Sequence, residues 1–220
     1  MKNKTKKKNK NLFKNKNFWL IICSIALLYF IGGIVYVNLD RDSGNVKNNK
    51  NVDKGISIKG FDYILYEDDI DIYKDEFKKL KKNLESSNKN YTEYAESISK
   101  MFVMDLYSLE AKKNMYDVGG VQFVYPDIRN NYKLNVTNTL YKYMKDNSDG
   151  KREQDLPMVK SVSIKNEDET KYKIGEEEFS GYKINLDIEY VKDLEYDKSA
   201  EIILVKKDKY LYIVEKIESL

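Results

Sequence analysis

Three hydrophobic patterns follow one another along the chain. The first is Phe18 to Val37, an apolar run (F-W-L-I-I-C-S-I-A-L-L-Y-F-I-G-G-I-V-Y-V) without a single charge. About twenty such residues carry a helix across a hydrocarbon core, so residues 18–37 are expected to form one transmembrane helix. The second pattern has helical period. Ile70, Tyr73, Phe77, Leu80 and Leu84 form one stripe, opened by the acidic stretch 67–71, where Asp69 is placed to cap, and closed by Lys78, Lys79, Lys81 and Lys82. Tyr91, Tyr94, Ala95, Ile98, Met101, Phe102, Leu106 and Leu109 predict a central helix from Tyr91 to about Met115. A third helix is expected after Asp127, with Ile128, Tyr132, Val136, Leu140, Tyr143 and Met144 on one face and a stop at Asn147-Ser-Asp-Gly150.

The third pattern has period two. Met158, Val162 and Ile164 predict a first strand after Pro157, and Tyr172 and Ile174 a second. Tyr182, Ile184, Leu186, Ile188 and Tyr190 give the cleanest alternation. Ile202 to Val205 and Tyr210 to Val214 flank Lys206-Lys-Asp-Lys209 as a hairpin. Helices first and consecutive antiparallel strands afterwards define an α+β fold, with three helices packed on an antiparallel sheet of four or five strands. Asn38 to Gly60, rich in Asn, Lys, Gly and Asp and without periodicity, is expected to be a flexible linker. The expected organisation is a basic tail (1–17), the span (18–37), the linker (38–60) and one α+β domain (61–220).

Charge orients this arrangement. Residues 1–17 hold eight lysines and no acid. Lysine-rich flanks stay cytoplasmic, so the N-terminus is expected in the cytoplasm and the large domain outside, in a single-pass protein of the cell membrane. A cleaved signal peptide fits less well. Its apolar core would be about 7–15 residues long, and the stretch Tyr36-Val-Asn-Leu-Asp40 is a poor cleavage site. The formal net charge of the whole chain is +3; without its tail the remainder is −5, which argues against nucleic acid as a partner. Cys23, inside the apolar run, is the sole cysteine, and histidine is absent. No disulfide, thiol chemistry or cysteine–histidine metal site is therefore expected outside the membrane. No cofactor is expected either. Gly119-Gly120 lacks a phosphate-loop context, and the acids at 67–71 are explained by a helix start. The abundance of Lys, Asn, Ile and Tyr matches an AT-rich bacterial genome.

One polar residue falls on the apolar face of the central helix. Asp105, beside Phe102 and Leu106, is the candidate pocket residue, a carboxylate whose pKa such surroundings would raise. Its other reading is structural: an aspartate at the edge of the stripe bonded to a neighbouring tyrosine hydroxyl. The order of three helices followed by an antiparallel sheet resembles the NTF2-like fold. With one span and a short tail in front, the chain resembles the VirB8-like bitopic subunits of conjugative type IV secretion machines. That resemblance implies a membrane-anchored protein-interaction subunit, with envelope proteins and further copies of itself as partners, and no enzyme. The alternatives are a ligand-binding sensor, which a tail of about seventeen residues leaves without a signalling domain, and an NTF2-like enzyme. The enzyme would have to use Asp105 or tyrosine hydroxyls as its acid–base groups.

Overall fold

The computed structural model describes residues 55–218. The expected transmembrane helix and basic tail lie outside the described residues, and no helix among the described residues is long and apolar enough to cross a membrane. The domain is α+β. Two short strands, β1 (Ile56–Ser57) and β2 (Ile64–Leu65), precede helices α1 (Asp71–Glu85), α2 (Tyr91–Tyr107) and α3 (Arg129–Asn138). A four-stranded sheet of β3 (Val159–Ile174), β4 (Glu177–Tyr190), β5 (Ser199–Lys207) and β6 (Tyr210–Glu218) follows. Its strands pair antiparallel in chain order.

The core lies between the helices and one face of this sheet. Tyr73, Phe77, Leu80 and Leu84 of α1 are buried, as their spacing predicts, and α2 buries residues all around its girth. They meet Ile184, Leu186, Ile188, Ala200, Ile202, Leu204, Leu211 and Ile213, which take every second position along their strands. On the opposite face a smaller cluster forms around Tyr125, Phe179 and Val205, with Tyr172 and Tyr212 against it.

Several boundaries differ from the sequence reading. Helix α2 ends at Tyr107 rather than near Met115, because the chain tightens into a 3₁₀ turn at Leu109–Ala111. The buried Arg152 guanidinium then takes the carbonyls of Leu109, Glu110 and Lys112. Helix α3 starts after a 3₁₀ turn at Pro126–Ile128 and stops at Asn138, with no capping bond from Asp127. Tyr143, expected on its apolar face, is therefore exposed. The two strands expected between residues 158 and 174 are one, β3, bent at irregularities between 159 and 161 and between 164 and 166. Order also begins before the expected end of the linker: β1 pairs with β2, and Ile58 is buried against the core.

The two edges of the sheet differ. At β6, the Leu211 N–H donates to the Tyr94 hydroxyl, the Tyr63 hydroxyl donates to the Leu211 carbonyl, and the Tyr125 N–H donates to the Ile213 carbonyl. Among the described residues β3 pairs only with β4. Its exposed positions are mostly charged or polar, which discourages chance pairing at an edge.

Candidate functional site

Phe102 and Leu106 are buried in the core, whereas Asp105 stands at its margin with about a fifth of its side chain exposed (22 %). The expected tyrosine partner is not the one Asp105 takes. Lys112 Nζ donates to one carboxylate oxygen, and the Gly120 N–H donates to the other at 2.6 Å. The paired glycines explain how that amide reaches it. Gly119 and Gly120 form a turn laid directly on α2, so close that a Cβ on Gly120 would stand 2.5 Å from the Phe102 ring. Gly120 also has φ +75°, a conformation that glycine adopts without steric cost. The glycines thus make a tight turn that closes the core over Phe102. Tyr132 adds a donor to the same turn, its hydroxyl bonding the Gly119 carbonyl at 2.7 Å.

Beside this turn, Gln122 Nε2 donates to the Tyr73 hydroxyl (2.7 Å) and to the Ile64 carbonyl, while its Oε1 accepts the Ile64 N–H. Burial, followed by the negative charges of Asp105 and Asp69, pushes the Tyr73 hydroxyl above its ordinary range. Asp69 does not cap α1; it accepts the Tyr66 N–H at 2.7 Å. Desolvation raises its carboxyl to about 6, against the lowering effect of that N–H bond.

A second location holds a cleft. It has a volume of about 490 Å³, lies between the end of α1 and the start of α2, and is lined by Glu76, Lys79, Lys82, Asn83, Lys100 and Glu96 among others. Its rim is rigid. The Asn83 side chain donates to the Asn90 carbonyl and accepts the Asn90 N–H, and Asn90 in turn caps α2 through Thr92 and Glu93. Glu76, only 5 % exposed, accepts from Ser97 Oγ at 2.8 Å and from Lys79 at 3.0 Å. A buried carboxylate needs such partners. The sequence held a signal for it, since Glu76 falls within the stripe between Tyr73 and Leu80. Glu96, Lys112 and the contact of Gly120 with Asp105 carried no such signal, because each depends on segments distant in the chain. Among the described residues no three acidic side chains converge to hold a metal ion. Comparison with family models, curated proteins and solved structures finds no match to this chain.

Proposed function

We propose that this chain is a single-pass membrane protein whose extracytoplasmic domain binds other envelope proteins, including further copies of itself, as a subunit of a conjugation or secretion apparatus. Its bilayer partner is the apolar run 18–37, oriented by the lysines before it. Three helices on a four-stranded antiparallel meander support an NTF2-like reading of the domain. One span and a short basic tail ahead of it support the VirB8-like reading.

The observation that favours binding over catalysis is the state of Asp105. A general base needs an oxygen free to reach substrate. Here an ammonium holds one oxygen and a backbone N–H the other. The deciding experiment is photo-cross-linking in native membranes from positions on the domain surface, with and without Asp105→Asn. The same pattern of protein adducts is expected from both. Turnover of a small molecule by the purified domain, abolished in a folded Asp105→Asn variant, would refute the binding reading. The polar cleft between α1 and α2 supports a second reading, a sensor that takes a small polar ligand from outside the membrane.

A further inference from the structure

The hairpin between β5 and β6 carries Lys206, Lys207 and Lys209, and their ammonium groups are seated on aromatic side chains. Lys206 Nζ lies 3.9 Å from the centroid of the Tyr91 ring, at the start of α2. Lys209 Nζ lies 5.4 Å from the centroid of Phe61 and 5.3 Å from that of Tyr210. Phe61 and Tyr210 themselves meet edge to face at 5.4 Å. That contact brings Lys59 to the same end of the domain, because its turn closes where the Phe61 N–H donates to the Ile58 carbonyl. Lys89, exposed in the α1–α2 turn, comes two residues before Tyr91. Lys207 faces away from this group and donates to the Tyr125 hydroxyl at 2.7 Å.

Positive charge is left over at this end. Along the sheet, lysines are matched by acids on the next strand: Lys160 by Glu189, Lys165 by Asp187, Lys171 by Glu178 and Lys183 by Glu201. Among the described residues, Lys59, Lys89, Lys206 and Lys209 form no ion pair. An aromatic face attracts an ammonium but does not cancel its charge. Two acids stand beside them: Asp208 in the hairpin turn, and Asp62, which accepts the Tyr210 hydroxyl at 3.0 Å. The chain also arrives here. Gly55, the first described residue, comes four residues before Lys59, and Ile56 next to it is 57 % exposed. Long cationic stems lying on aromatic rings, beside an exposed aliphatic side chain, match the chemistry of a headgroup layer.

We propose that this end of the domain docks on the bilayer surface, where Lys59, Lys89, Lys206 and Lys209 take the phosphates of anionic phospholipid headgroups. The docking rests on the reading of residues 18–37 as a membrane span. Residues 38–54 then tether the domain within at most about 60 Å of the surface. Each encounter is intramolecular, so a patch of modest charge suffices where it would not hold a free protein. One lysine at an anionic surface is worth about a fivefold gain in occupancy, and salt removes it. The arrival of the chain at this same end favours a lipid surface over an acidic protein.

The test is lysine acylation on the full chain in lipid nanodiscs, read residue by residue by mass spectrometry. In discs of equal parts phosphatidylglycerol and phosphatidylcholine, Lys59, Lys206 and Lys209 should react roughly fivefold more slowly than in phosphatidylcholine discs. Lys145 and Lys151 should react equally in both, since they stand beyond the other end of α2, where the Asn147 N–H donates to the Lys113 carbonyl. About 1 M salt, which shortens the reach of charge to about 3 Å, should remove the difference. In Lys206→Gln/Lys209→Gln the shielding of Lys59 should be lost, with thermal melting reporting that the variant is folded. Should it not fold, Lys59→Gln, read at Lys206 and Lys209, decides. Equal reactivity in the two kinds of disc, as an acidic protein partner predicts, or undiminished shielding in a folded glutamine variant, would overturn the docking. Co-elution with phosphatidylcholine discs at about 1 M salt reports the span alone. A chain that co-elutes without shielding refutes the docking and leaves the span standing; a chain that does not co-elute refutes the span, and the docking with it.

Discussion

Gly120→Ala, with and without Phe102→Ala, tests the closure of the core over α2. The added methyl meets two separate obstacles. At φ +75° an L-residue is in the left-handed region, which costs about 1–2 kcal/mol. The methyl would also stand 2.5 Å from Phe102 Cδ2 and 3.2 Å from the Tyr132 hydroxyl, and such overpacking costs about 1–3 kcal/mol. Gly120→Ala should therefore destabilise by about 2–5 kcal/mol. Phe102→Ala removes a ring that is 1 % exposed and should cost about 3–5 kcal/mol. In the double variant most of the steric part is relieved, because the methyl enters the space the ring vacated and only the 3.2 Å approach to the Tyr132 hydroxyl is left. The combined loss should then fall short of the sum by about 1–3 kcal/mol, while the backbone part remains. Urea unfolding of residues 52–220, which cluster as one compact unit, measures all three values. Strict additivity would mean that the glycine turn does not rest on Phe102. A loss below about 1 kcal/mol for Phe102→Ala would put the ring outside the core.

The raised carboxyl of Asp69 predicts a pH dependence of opposite sense to that of a salt-bridged acid. Stability should decline as pH rises from 3.8 to about 6, and Asp69→Asn should remove that slope. Denaturation midpoints should show the variant above the parent at pH 7 and level with it near pH 4; a constant gap would contradict this. For topology, protease added to intact cells should digest residues 61–220 and spare the lysine tail, whereas protection of the domain would reverse the orientation.

Periodicity made most of the architecture legible. The stripe from Tyr73 to Leu84, the alternation from Tyr182 to Tyr190 and the turn at Lys206–Lys209 each form the element they predict. What stayed hidden depends on tertiary register. Strand β3 read as two because Glu167 and Glu169 hold helix-facing places in its middle, so the apolar signal fades there although hydrogen bonding to β4 continues. Helix α2 read as too long because Leu109 continues the spacing of its stripe, whereas distant partners hold the chain at that point: the Arg152 guanidinium takes the Leu109 carbonyl and the Pro157 carbonyl takes the Glu110 N–H. The Asp105 neighbourhood was half legible. Its place at the margin of the apolar face follows from spacing, but its partners come from a glycine turn fifteen residues on and from a lysine beyond the helix end. The cleft was not legible at all, because it is built from the polar faces of two helices.

The tyrosine pair at the β6 edge also sets an order of assembly. Tyr63 and Tyr94 share a 2.6 Å hydrogen bond, and both reach the peptide groups of Leu211, which lies 148 residues after Tyr63. Helices α1 and α2 are neighbours in the chain and can pair as soon as they leave the ribosome. The segment around Tyr63 has no such option: its final dock does not exist until the last strand has been made. At about 5–20 residues per second, those 148 residues take roughly 7–30 s to synthesise. Throughout that interval Phe61 and Tyr63 are aromatic side chains without their final cover, so a chaperone that holds the nascent domain would find its first target at the beginning of the fold.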